Sequence, residues 1–375
     1  MENNFENLAK EPLQNNLQKS RFGLYESALA TLVFILLNIA AQWILSFFDL
    51  SNLTGSFWYY PVHIFIEAMF ALAAFIVTKT QKLDFIADTG MKNKVSWPMV
   101  GWCFLVSFVS LYLFGNLTNV FLEFISLCGY ESILGGMEIN NAGQYIGTVI
   151  SSCVVAAFCE ELLFRGVILS GFRKYGFKIS VFVSALIFML MHGNAEQTVH
   201  QFIIGVIVGI AFYKTGNLWI GVLIHFFNNL IPVTQVFILS NTQDAATASL
   251  EAAAETTQIG FGTVVVDLIM ALLFAWAGYT FIKWIFGKIF AENKKLNGEY
   301  QEVSNKTSVV IDGTETTIDM SIDGVPVENT QEEVSSVVDS KKKEPIPMSI
   351  KIMFVLSGLY LIGNWLLYTI YGFIV

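Results

Sequence analysis

Nine apolar runs separated by short polar loops dictate most of what this chain can become. They fall at about 25–48, 58–78, 97–124, 142–172, 179–192, 198–213, 218–239, 261–286 and 352–374. A helix of about 20 apolar residues crosses a bilayer, and inside lipid the backbone must satisfy its own hydrogen bonds. The fifth and sixth runs are short for that task. Hydrophobic residues make up 54% of the 375 residues and charged ones only 14%, a balance foreign to soluble domains. The expected fold class is all-α, a polytopic transmembrane bundle of about nine spans with a cytoplasmic acidic linker.

Lysine and arginine occupy every second loop. Lys79, Lys82, Lys92 and Lys94 follow the second run, Arg173, Lys174 and Lys178 the fourth, Lys214 the sixth, and Lys283 to Lys295 lie at and beyond the end of the eighth. The intervening loops carry acids only, such as Asp49, Glu131, Glu138, Asp244, Glu251 and Glu255. The positive-inside rule then predicts a multi-pass protein of the cell membrane, with the N-terminus in the cytoplasm and the C-terminus outside. The first run lacks a small-residue cleavage site and is expected to be retained.

The formal net charge of −9 is concentrated in one place. Residues 296–340 hold ten acids and a single base, Lys306, so the membrane part is close to neutral. This segment is polar and is expected to be disordered. Its weak alternation over 309–327 leaves a small hairpin as the alternative. The organisation predicted is a cytoplasmic tail (1–24), accessory helices (25–126), a core (139–239), a further helix (260–287), the acidic linker (288–348) and a C-terminal helix (349–375). No basic patch points to nucleic acid. The four cysteines, Cys103, Cys128, Cys153 and Cys159, show no metal spacing and read as packing residues.

The fourth run reads SSCVVAAFCEELLFRGVILSGFR over 151–173 and holds Glu160, Glu161 and Arg165. Ionisable groups at bilayer depth are costly and mark function. Glu161 and Arg165 are four apart and can pair on one helix face, leaving Glu160 available as a general base. His192 closes the fifth run, and His225 lies in the seventh with Asn229 one turn on. A His–Asn pair at that spacing suits an oxyanion. At about 1.5 Å per residue, Glu160, His192 and His225 lie roughly 18, 21 and 12 Å from the base-bearing ends of their helices. Three spans thus bring polar groups to similar depth, and a cavity entered from the cytoplasm would supply water.

The segments EELLFR (160–165), FMLMH (188–192) and HFFNN (225–229) resemble the EExxxR, FxxxH and HxxxN motifs of the CPBP family of intramembrane proteases, which includes type II CAAX prenyl endopeptidases and relatives tied to bacteriocin immunity. The resemblance covers about 139–239. It implies an endopeptidase in which Glu160 and His192 activate water, His225 and Asn229 stabilise the oxyanion, and Glu161 and Arg165 order the site. Partners would be a peptide or protein substrate, lipidated in the family's namesake reaction, and membrane lipids, with no nucleic acid. Zinc is one option, with Glu160, His192 and His225 as candidate ligands, but no HxxxH or HExxH pair is present, which favours a metal-free reaction. The alternative is a non-proteolytic transporter or a bacteriocin-immunity or peptide-export partner, since intramembrane acids also mark transport.

Other residues carry plainer expectations. His63 reads as interfacial and His200 as a packing or hydrogen-bonding residue. Glu67, Glu123 and Asp267 read as helix-to-helix hydrogen-bonding groups, and Ser151 and Ser152 as small packing residues.

Overall fold

The computed structural model describes residues 22–49, 53, 56–133, 139–242, 260–298, 306–311, 314–319 and 345–374. Eight helices among them are long and apolar enough to cross a membrane: α1 (Leu24–Leu45), α2 (Tyr59–Thr80), α3 (Trp97–Leu127), α4 (Ala142–Tyr175), then α6 (Thr198–Thr215), α7 (Leu218–Ser240), α8 (Phe261–Asn297) and α9 (Met348–Gly372). Between α4 and α6 lies the shorter α5 (Phe177–Met191). These nine segments are the nine apolar runs of the sequence. Their outward faces are apolar as well: Trp43, Phe47, Trp276, Leu359 and Leu367 are all exposed. That pattern suits a lipid solvent.

The core is built where small residues let helices approach. α6 carries Gly205 and Gly209 one turn apart, and a Cβ on Gly205 would stand 3.1 Å from the Cα and Cβ of Ala185 in α5. Small residues at such a crossing are the usual device of membrane helices, since lipid supplies no hydrophobic drive between them. Ser27 of α1 donates to the Ile168 carbonyl of α4 at 2.9 Å, and Ser184 of α5 to Phe164 of α4 at 3.1 Å. These bonds tie α1 and α5 to α4, the most buried of the long helices.

α4 is not a regular helix. It widens into π turns at Val149–Val155 and Leu162–Leu169, with an α segment, Ala156–Glu161, between them. π segments inside α-helices are rare and concentrate at functional sites. α3 has one too, at Ser110–Phe114. Apolar periodicity does not reveal them.

The helix ends segregate by charge. At one end, Asn217 donates to the Lys94 carbonyl (2.9 Å) and to Asn293 (3.1 Å), and Asn297 reaches the same Lys94 carbonyl. Arg173 is buried here, donating to the carbonyls of Tyr213 and Phe212 at the end of α6. At the other end, Ser132 and the Ile133 amide bond Glu196 at 2.8 Å, and the Glu131 amide bonds the Gly372 carbonyl at 2.8 Å. The first end gathers the lysine-bearing loops and the second the loops without bases.

In the acidic linker, β1 (Lys306–Ile311) pairs antiparallel with β2 (Thr314–Asp319). The register runs from Lys306↔Asp319 to Ile311↔Thr314. The two residues between are Asp312 and Gly313, the pair that favours a two-residue hairpin. Disorder is therefore not the description of 306–311 and 314–319, and the hairpin starts earlier than the alternation at 309 suggested. The linker is shorter than the expected 288–348: residues 288–297 continue α8, and Met348 opens α9. Residues 299–305, 312–313 and 320–344 lie outside the described residues, as does the tail 1–21.

Candidate active site

Glu161 is fully buried, and its Oε1 accepts from Arg165 Nη1 at 2.8 Å. The same oxygen lies 3.0 Å from His225 Nδ1. Arg165 Nη2 donates to the Gly205 carbonyl of α6 at 3.1 Å. Phe188 is the apolar hub of this group. The Arg165 guanidinium lies 4.6 Å from its ring, and the rings of His192 and His225 pack on it at 4.9 and 5.8 Å. A desolvated cation over a ring is worth up to ~2 kcal/mol, so Phe188 holds Arg165 as well as the two histidines.

His192 is the C-cap of α5, and Gly193 follows at φ +69, where a side chain would be strained. The α5 helix therefore ends inside the protein, at the site. His192 Nδ1 lies 2.9 Å from the Phe188 carbonyl. A carbonyl can only accept, so Nδ1 carries the proton and Nε2 of the neutral ring keeps its lone pair.

Glu160, His192 and Asn229 line one cavity of 670 Å³. Glu161, Arg165 and His225 are packed behind it and do not line it. The two halves of the predicted site are thus brought together, but in two layers. The His–Asn pair is also more engaged than its spacing suggested. Asn229 Nδ2 donates to the Ser152 carbonyl at 2.9 Å, which leaves it one amide hydrogen. His225 gives Nδ1 to Glu161, which leaves Nε2. The neighbouring Asn228 donates to His200 Nε2 at 3.1 Å.

Glu67 of α2 also lines the cavity, beside Glu160. His63 Nε2 lies 3.8 Å from Glu67 Oε1, one turn away on α2. The expectation for Glu67 was a helix-to-helix hydrogen bond; instead, among the described residues, its Oε2 is buried without a partner, in the cavity it shares with Glu160. The signal available in the sequence was a lone acid in an apolar run with a histidine four residues before it.

The cavity does not open where the helix depths suggested. Its exposed lining residues are Gln42 and Tyr368, both at the base-free end, and its floor is Phe34, Phe70 and Glu160. No lining residue comes from the lysine-bearing end. The expectation of a cavity entered from the base-rich side is corrected: counting residues along a helix gives depth but not which neighbours leave space above.

Among the described residues no three His, Cys, Asp or Glu side chains converge as metal ligands. Glu160 and His192 line the cavity while His225 lies behind it, so the arrangement does not fit a metal bound by all three.

An all-helical membrane bundle with a carboxylate–histidine centre at its core is the class defined by these features. Residues 142–231, from the start of α4 into α7, match the family described as type II CAAX prenyl endopeptidase Rce1-like. With its eight apolar helices the chain is an integral membrane protein, and its stretch 142–231 is similar to CAAX-type intramembrane endopeptidases. No curated protein and no solved structure matches it.

Proposed function

We propose that the chain is an intramembrane endopeptidase that hydrolyses peptide bonds with a water activated by Glu160 and His192. The observation that carries this reading is that Glu160, His192 and Asn229, from three helices, line one cavity. A water there can give its proton to the Glu160 carboxylate while His192 Nε2 accepts its second hydrogen and orients it. Its oxygen adds to the scissile carbonyl. The oxyanion formed is met by the remaining Asn229 amide hydrogen, one turn from His225 on the same helix. Glu160 then passes the proton to the departing amine, and the C–N bond breaks. Glu161 and Arg165 hold His225 and the α4–α6 contact. No step is routed through a metal.

By the distribution of bases, the N-terminus lies in the cytoplasm of a cell-membrane protein. The test is to compare membrane-fraction peptides from cells carrying the wild-type chain and Glu160→Ala. Peptides that persist uncut only with the variant are expected. A stably inserted Glu160→Ala chain with full activity overturns the reading and favours a transporter or an export partner.

A further inference from the structure

A carboxamide can meet an oxyanion only with its nitrogen. Turned through half a circle, Asn229 would offer an oxygen and repel it. A chain of four groups from three helices holds Asn229 the right way round. It begins at the Ser152 carbonyl, in the first π turn of α4. A carbonyl only accepts, so the Asn229 atom 2.9 Å from it is the amide nitrogen. That fixes Asn229 Oδ1 on the other branch, 3.5 Å from Asn228 Nδ2, which donates to it. The second hydrogen of the same nitrogen goes to His200 Nε2 of α6, at 3.1 Å. Two donors cannot face each other, so His200 Nε2 keeps its lone pair. The ring is therefore neutral, with its proton on Nδ1.

Nothing else sets the orientation of Asn228. The residue is buried, and its Oδ1 has no partner among the described residues. A buried orphan of this kind costs about 1–3 kcal/mol, so the two donated bonds hold Asn228 against that cost. The backbone gives no help either. Pro232, one turn on in α7, has no N–H for the Asn228 carbonyl, and the helix ladder is interrupted at this residue. Neither His200 nor Asn228 lines the cavity, so their effect on the reaction passes through Asn229.

We propose that His200 and Asn228 are positioning residues for the oxyanion donor. His200, as a neutral acceptor, fixes Asn228, and Asn228 fixes the Asn229 carboxamide with its remaining hydrogen available to the cavity. The catalytic part rests on the endopeptidase reading; the direction of the hydrogen bonds and the His200 tautomer do not.

Histidine labelled with nitrogen-15 reads the tautomer without reference to activity. In detergent, the spectrum of the full chain less that of His200→Gln is expected to show one neutral ring protonated on Nδ1. A ring protonated on Nε2, or an imidazolium, overturns the proposal.

The catalytic part is read with the best-cut peptide of an internally quenched decapeptide library, on samples matched for Tm. His200→Leu is expected to lower kcat about tenfold with KM unchanged, because the oxyanion exists only in the transition state. Asn228→Asp, which loses the donor and sets a carboxylate against Asn229 Oδ1, is expected to do the same. His200→Gln, whose carboxamide oxygen accepts in place of Nε2, is expected to restore most of kcat. In an Asn229→Ala chain, His200→Leu should cost nothing further. Equal losses for His200→Leu and His200→Gln, a rise in KM alone, or an undiminished loss in the Asn229→Ala chain overturns the proposal. If the wild type cuts nothing, the endopeptidase reading and the positioning role fall together, while the difference spectrum still decides the chain of hydrogen bonds.

Discussion

Glu161 Oε1 stands 3.0 Å from His225 Nδ1, and the same oxygen receives Arg165 at 2.8 Å. Two donors on one buried oxygen make Glu161 a structural counter-charge for two helices. Glu160, the next residue along, has its carboxyl in the cavity instead. Adjacent acids therefore have separable roles, and substitution is expected to split them.

Glu161→Gln removes the counter-charge of a fully buried guanidinium. Stranding a buried charge costs about 3–5 kcal/mol, so a large fall in Tm is expected in detergent. Glu160→Gln should leave Tm close to wild type. Equal shifts for the two variants would contradict this division.

Hydrolysis should respond in the opposite order of subtlety. Glu160→Gln keeps the shape of the side chain and removes the base, so peptide cleavage by folded protein is expected to fall by about 10²–10⁴. The check is turnover of a quenched peptide by samples matched for Tm.

Glu67 lies outside residues 142–231, yet it lines the same cavity as the proposed base. Glu67→Gln is expected to misplace Glu160 and lower cleavage by roughly 10². Because the two carboxyls act as one unit, the double variant Glu67→Gln/Glu160→Gln should be no slower than Glu160→Gln alone. Additive losses would mean that Glu67 works independently.

Gly205→Val would drive a branched side chain into Ala185 and push away the carbonyl that receives Arg165. Overpacking of this kind costs about 1–3 kcal/mol, and the lost acceptor adds to it. Thermal unfolding in detergent should report a clear loss, while Gly101→Ala, which meets nothing, should be silent.

Much of this could be seen in the sequence, and particular residues show why. Apolar length revealed the nine segments, because a bilayer leaves the backbone no other choice. The pairing of Glu161 with Arg165 followed from their spacing, which survives the π turn that begins at Leu162. The cavity lining was harder. Glu67, Asn38 and Asn364 come from α2, α1 and α9, and nothing local in their runs says which neighbour they face. The direction of the cavity was misjudged for the same reason: depth along a helix is a local quantity, and empty space between helices is not. The hairpin strands at 306–311 and 314–319 were half visible, through Asp312–Gly313 and the alternation around it.

The mouth between Gln42 and Tyr368 has a pharmacological consequence. Its wall is built from two sources: Ser152, Glu160, His192 and Asn229 lie within residues 142–231, whereas Gln42, Glu67 and Asn364 lie outside them. Compounds that grip the second group would tell this chain apart from proteins that share only its catalytic core.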